Sequence, residues 1–475
     1  MNPETSAPSV NNRWPKQIKF IVGNEACERF SYYGMRSILA GYITGATLQG
    51  GLGQTADKST EIIHMFVSAN YFMPLLGAWL SDKLIGRYHT ILWVSLFYCL
   101  GHGVLACSDL FTTVDARLWC LFAGLALIAF GSGGIKPCVS AFMGDQFKPD
   151  QSHLLQKAYG AFYWSINLGS FFSFLVIPWI KNHHGYSWAF GVPGIFMGIA
   201  TFVFWLGTKH YVRIPPSRET KNAGFFRVLW HALTNPKQPG EGFWGAARRK
   251  YSAAEVDAAK SVLPILGVFA LIPPFWSLFD QTNSTWVLQG EKMLPFDLFG
   301  LHIGAEQMQS ANPLLVMLLV PPLTLLLYPL LGKWASPLRR MSYGMFLAAL
   351  SYVIVAGLQQ RIEAGAQLSV AWQVLPYIVL TTAEVLVSTT GLEFAFREAA
   401  AEMKSLIMSF WLLTVTVGNL LVAFITKFFA ADGGDASVTS GRFMMYAGLS
   451  FVVAIVFSVA TSFYKYRDAA AAQGK

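Results

Sequence analysis

Apolar positions in this chain run in long blocks, neither alternating as in a strand nor forming one stripe as on a soluble helix. A helix rising 1.5 Å per residue needs ~20 apolar residues to cross a bilayer. Blocks of that length lie near 18–46, 61–82, 89–108, 117–143, 158–180, 187–209, 261–288, 311–332, 341–360, 371–395, 404–429 and 442–463. Polar or Pro/Gly-bearing punctuation separates almost every pair, so the pattern predicts twelve spanning helices. Residues 210–260 interrupt it with basic residues and no block that could span. Within them Phe225, Phe226, Leu229, Trp230 and Leu233 fall at helical spacing, which predicts a short helix lying on the membrane surface; the alternative is a flexible linker with chance aromatics. The expected organisation is a tail at 1–17, a six-helix bundle at 18–209, a linker at 210–260, a second six-helix bundle at 261–463 and a tail at 464–475.

Composition narrows the class. Of 475 residues, 54% are apolar and 13% charged, about half the charge of an ordinary soluble protein. That is too little to coat soluble domains, so a soluble enzyme, a disordered chain and a disulfide scaffold are excluded. Cys27, Cys99, Cys107, Cys120 and Cys138 all sit in apolar surroundings and read as membrane residues. Arg13, Trp14, Lys16 and Lys19 precede no short apolar run with a cleavage site, so the first helix is expected to stay in the protein.

The net charge of +9 raises the question of a nucleic-acid partner, and the distribution of charge argues against one. With both termini on one side of the membrane, the opposite loops receive only Lys58, Arg117, Lys181, Lys292, Arg361, Lys427 and Arg442. Arg29, Arg36 and Lys136 fall inside spans, and the other 25 of the 35 Lys and Arg residues share the side of the termini. The positive-inside rule then places the termini and the linker in the cytoplasm. The expected location is a bacterial inner (plasma) membrane.

Ionisable residues inside a span cost several kcal/mol and mark function by default. The first helix carries Glu25, Glu28, Arg29 and Arg36, which with Tyr32 and Tyr33 cover an arc of roughly 140° along about 16 Å. Such a stripe is expected to line a water-filled cavity; the alternative is an internal ion-pair ladder. Lys136 follows Gly131-Ser132-Gly133-Gly134-Ile135, Asp280 follows Pro273-Pro274, and Glu384 is central in the tenth span. The glycine run lacks the spacing of a phosphate loop and reads as a close helix contact with a flexible point. Pro273-Pro274 reads as a break where a gate bends. No metal-ligand spacing or nucleophile–base pair appears, so no cofactor is expected beyond a coupling proton. Buried acids beside buried bases can exchange partners on protonation, as proton coupling requires.

Three motifs carry a resemblance. Gly77-Ala-Trp-Leu-Ser-Asp82-Lys83-Leu-Ile-Gly86-Arg87 resembles the cytoplasmic loop signature of the major facilitator superfamily. Glu25-Ala-Cys-Glu28-Arg29-Phe30-Ser-Tyr32-Tyr33-Gly34 resembles the E-x-x-E-R-F-x-Y-Y-G motif of proton-coupled oligopeptide transporters. Phe162-Tyr163-Trp164-Ser165-Ile166-Asn167-Leu168-Gly169 is similar to that family's fifth-helix signature. The resemblance implies an all-α major facilitator fold of twelve helices that imports di- and tripeptides with protons. It further implies that Arg36, Lys136 and Glu384 handle the peptide's charged ends, and that Tyr32, Tyr33, Tyr71, Asn167, Trp276, Asn312, Ser388 and Trp411 contact its backbone or side chains. Glu25, Glu28, Arg29 and Asp280 would serve proton coupling, Asp280 through a pairing with Arg36. His64 matches a second-helix histidine of animal members, or else sits at a helix end near the outer surface.

The chemistry of these residues agrees with that reading. A zwitterionic peptide needs a cation for its carboxylate and an anion for its amine, and aromatic walls tolerate varied side chains. The expected partners are therefore di- and tripeptides, protons and the lipid bilayer. The nearest rival is the same fold carrying nitrate or a peptide-like drug; the intact Glu25-x-x-Glu28-Arg29 argues against a nitrate carrier. A membrane sensor would not need seven buried ionisable groups, and a membrane enzyme would need a catalytic constellation that is missing.

Overall fold

A computed structural model describes residues 14–148, 151–216, 224–430 and 437–466. Most of the two expected tails, with Arg13, and the linker residues Arg218 and Lys221 lie outside the described residues. Among the described residues the chain is almost wholly helical. The spans are α1 (Ile18–Ser37, prolonged past Ile38 by Leu39–Thr44), α2 (Ala56–Trp79), α3 (Arg87–Ala106), α4 (Val114–Gly144) and α5 (Ser152–Leu206). At 55 residues α5 is two spans in one, because Gly185 turns the chain with φ 83°, open to glycine without Cβ strain.

After the linker helix α6 (Phe225–Thr234) come α7 (Ala253–Phe269) and α8 (Pro273–Phe279). The remaining helices are α9 (Ala311–Pro322), α10 (Pro337–Glu363), α11 (Val374–Glu384), α12 (Thr390–Glu398), α13 (Lys404–Phe429) and α14 (Ser440–Ser462). A wide turn at Val385–Thr389 joins α11 and α12 into one span.

Local sequence accounts for several boundaries. Ser252 and Glu255 form a reciprocal capping box, so α7 starts at Ala253, before the apolar block at 261. The seventh span is bent by 44° between α7 and the helix that Pro273 opens, the position where paired prolines predict a break. Residues 289–310, which carry no spanning block, hold a hairpin of β1 (Phe296–Leu298) and β2 (Leu301–Ile303) that the apolar pattern does not reveal. Its turn uses positive φ at both Phe299 and Gly300, as a tight hairpin requires.

Chain contacts group the residues into two compact units. The first comprises Met1–Ser59, Ala69–Pro216 and Asp297–Met317; the second comprises Thr60–Ser68, Ser217–Phe296 and Leu318–Lys475. In the first unit, glycines let helices touch backbone to backbone. A Cβ on Gly77 would lie 2.1 Å from the Gly134 carbonyl oxygen, and one on Gly133 would lie 2.6 Å from that of Asn70. The 131–134 run is thus the close helix contact that its composition implies, inside an uninterrupted α4.

Burial is inverted relative to a soluble protein. Asn24, Glu25, Glu28, His64 and Asp280 are buried, while Trp119 is 74% exposed, Phe428 77% and Leu330 81%. Large apolar side chains on the outside of polar-cored helices are the mark of a lipid-facing surface.

Candidate functional site

The first unit gathers most of the conspicuous first-helix residues. Glu25 and Arg29 are four apart on α1, one turn, and Arg29 Nε lies 2.7 Å from Glu25 Oε1. The same nitrogen lies 3.0 Å from Glu28 Oε2, so one guanidinium clamps both acids. Ser132, from the glycine run of α4, donates to Glu28 Oε1 at 3.4 Å. Glu25, Glu28 and Arg29 therefore form a buried ion cluster within one helix.

Lys136 stands beside that cluster. Its Nζ lies 4.5 Å from the ring centroid of Tyr32 and 4.4 Å from that of Tyr71. Two electron-rich faces hold the ammonium in place. Asn70 donates to the Tyr32 hydroxyl at 3.0 Å, and Tyr33 meets Tyr32 edge-on at 5.3 Å. Arg36 is buried nearly two turns beyond Arg29. Asn167 is buried on α5 and ties its amide to the Tyr163 carbonyl at 2.9 Å, while Asn312 begins α9 half-buried.

The second unit builds a different network. His64 is fully buried, about two turns inside α2 rather than at its end. Its Nδ1 is 2.7 Å from Asn419 Oδ1, and its Nε2 is 2.8 Å from Ser284 Oγ. Asn419 Nδ2 donates to Asp280 Oδ2 at 2.7 Å and to the Val415 carbonyl at 2.9 Å. With both amide hydrogens committed, Asn419 Oδ1 can only accept, so His64 carries its proton on Nδ1. Its Nε2 then accepts from Ser284 when neutral and donates to it when charged. The Ser284 hydroxyl can turn instead to the Gln281 carbonyl at 3.5 Å. One hydroxyl rotation thus lets the network hold either protonation state.

The aromatic residues of this unit are wedged in place. Trp276 Nε1 donates to Thr414 at 3.0 Å, and Trp276 meets Trp411 edge-on at 6.1 Å. Gly391 and Gly418 leave room for them: a Cβ would lie 2.0 Å from the Trp411 ring at the first and 2.8 Å from Trp276 Cβ at the second. Glu384 ends α11, and Ser388 sits in the wide turn that follows, both half-buried.

Sequence reasoning misses Asn419, Ser284 and Thr414, which complete these contacts. A signal is present for Asn419, an amide placed in the otherwise apolar run of α13. Nothing in the sequence pairs it with His64, 355 residues away.

Comparison with known proteins agrees with the motifs. The PTR2 profile, POT family, matches residues 88–439. Solute carrier family 15 member 2 of Rattus norvegicus is 36% identical over 76% of this chain and 51% of its own length. Peptide transporter family 1 of Drosophila melanogaster is 37% identical over 74% of this chain and 49% of its own. The chain spans about half the length of the curated relatives it matches. Among solved structures, an auto-inhibited POT family peptide transporter superposes with TM-score 0.86 at 40% identity, covering 96% of this chain and 98% of the other. The fold is the major facilitator arrangement of two six-helix bundles.

Proposed function

This chain belongs to the POT family, and we propose that it is a proton-coupled symporter importing di- and tripeptides by alternating access. The observation that carries the reading is the buried His64–Asn419–Asp280 network, in which an amide joins a histidine to a carboxyl group away from water. A sensor or scaffold has no use for such a network, whereas a symporter must take up and release a proton.

Roles follow from chemistry. Arg36 and Lys136 take the peptide carboxylate and Glu384 the amine. Tyr32, Tyr33, Tyr71, Asn167, Trp276, Asn312, Ser388 and Trp411 hold the backbone and the side chains. Glu25, Glu28 and Arg29 pass charge changes to Lys136, while Asp280, with His64 behind it, takes the proton. The protein sits in a bacterial inner membrane with both termini and the 210–260 linker in the cytoplasm, the linker helix α6 resting on the membrane surface. On α6, Phe226, Trp230 and Leu233 are exposed while Phe225 packs inward, so an apolar face is available to that surface.

The test is uptake of labelled dialanine into proteoliposomes with and without an inward proton gradient. Accumulation is expected only with the gradient. Absence of uptake in both conditions defeats the proposal.

A further inference from the structure

At the end of the second unit where α10 begins and α14 finishes, a cavity of about 280 Å³ opens between the two helices. Its lining is unlike the rest of the surface. Of ten residues, eight carry a hydroxyl and one is Arg339. The backbone contributes as well. Ser336 caps α10 and Pro337 is its first residue, so the first-turn N–H groups of a 27-residue helix face this end. One of them, Leu338 N–H, donates to the Tyr466 oxygen at 3.3 Å, leaving the phenol proton of Tyr466 able to donate. Ser458, Thr461 and Ser462 turn their hydroxyls to carbonyls of their own helix and Tyr464 donates to Glu398, so Arg339, Tyr343, Tyr466 and the helix start supply the donors of this hydroxyl-lined concavity, the chemistry that recognises a phosphate.

A second cavity of about 430 Å³ adjoins the first and shares Thr461 and Tyr464 with it. Its character is opposite. Pro264, Gly267, Val268 and Leu271 form one wall, and Ala460 and Phe463 the other, with Lys465 at the end. Phe463 is 78% exposed, so this groove belongs to the apolar exterior. Acids nearby are engaged. Glu398 accepts from Tyr464 at 3.0 Å, and Glu393 accepts from Arg340 at 3.0 Å. Arg339 lies over the Trp334 ring at 4.9 Å, a contact that orients the guanidinium.

We propose that these joined cavities bind one anionic glycerophospholipid from the leaflet on the linker side. Its phosphate would lie against Arg339 and the hydroxyls, and one acyl chain would fill the groove between α7 and α14. A free phosphate satisfies only the first cavity and a neutral lipid only the second, whereas a phospholipid satisfies both. The added cation Lys465 selects a headgroup with net negative charge over a zwitterionic one. This proposal stands apart from the identity of the transported solute.

Two variants test it. Arg339→Gln removes the phosphate cation at an exposed position. Gly267→Leu fills the groove, where an added Cβ meets no atom within 4 Å, so the fold tolerates it. Native mass spectrometry of the full chain, delipidated and then titrated with phosphatidylglycerol, reads occupancy. The expected result is one retained phosphatidylglycerol on the parent, about tenfold weaker in either variant. Phosphatidylcholine should be retained more weakly, and glycerol 1-phosphate should fail to displace the lipid. Equal retention by the parent and both variants overturns the site. Displacement by glycerol 1-phosphate together with an unaffected Gly267→Leu also overturns it, in favour of a soluble phosphate ligand.

Discussion

Asn419 donates to the Asp280 carboxylate at 2.7 Å while its own oxygen takes the His64 proton at 2.7 Å. One amide thus fixes the tautomer of the histidine and holds the acid at the same time. Protonating Asp280 weakens the bond from Asn419, because a neutral carboxyl accepts less strongly than a carboxylate. The change reaches His64 through two bonds and Ser284 through a third, so the four side chains respond as a unit.

Replacing the link should uncouple that unit. Asn419→Leu removes the bonds to His64 and Asp280, and a bond to a charged group is worth about 2 kcal/mol, or roughly thirtyfold. Proton-driven dipeptide accumulation is expected to fall by about that factor. Counterflow, which needs no net proton movement, should fall much less. Equal loss in both assays would assign Asn419 to structure alone.

Asp280→Asn removes the titrating group itself. Concentrative uptake should disappear while counterflow survives at least in part, both measured on one reconstituted preparation. Accumulation equal to that of the parent would remove Asp280 from proton coupling.

Glu384 is assigned to the peptide amine. Losing one partner of a desolvated charge pair costs about 2–5 kcal/mol, so Glu384→Gln should weaken zwitterionic dipeptides far more than N-acetylated ones in competition assays. Parallel weakening of the two substrate classes would refute the assignment.

Gly77 touches the backbone of Gly134 with no room for a side chain. Gly77→Val is expected to lower stability by about 1–3 kcal/mol through overpacking, seen as a lower melting temperature in detergent. An unchanged melting temperature would mean that the two helices separate freely there.

A pH effect is expected outside the membrane, where Lys181 contacts Glu306 at 2.5 Å. Burial pushes the Glu306 carboxyl above its ordinary value of 4.5, and Lys181 only partly opposes this. The folded state therefore holds this proton more tightly than the unfolded chain. The stability contributed is full below the ordinary value and is lost as pH rises through the folded pKa. Above about pH 4.5, where the raised pKa of the folded state makes itself felt, Glu306→Gln should flatten that part of the melting-temperature profile. A profile with an unchanged slope would count against a titrating Glu306.

Much of this protein was legible in its sequence because the bilayer is a strict solvent. A chain that must satisfy every backbone group internally can cross only as helices or a closed barrel. Apolar blocks of spanning length, counted along the chain, therefore gave the twelve helices. The same strictness made Glu25, Glu28, Arg29, Arg36, Lys136, Asp280 and Glu384 visible, since charge in hydrocarbon needs a reason. The break at Pro273-Pro274 and the contact through the 131–134 glycines followed from local backbone chemistry.

Tertiary structure alone decided who meets whom. Periodicity cannot say that one guanidinium, Arg29, clamps both Glu25 and Glu28, nor that Lys136 settles between the Tyr32 and Tyr71 rings. Ser284 and Thr414 look in sequence like ordinary polar residues in a membrane helix, and Asn419 stands out only as an amide in an apolar run, without its partners. Their importance is a matter of partners more than a hundred residues away, and such pairings are set by how whole helices pack, information that no local window of sequence contains.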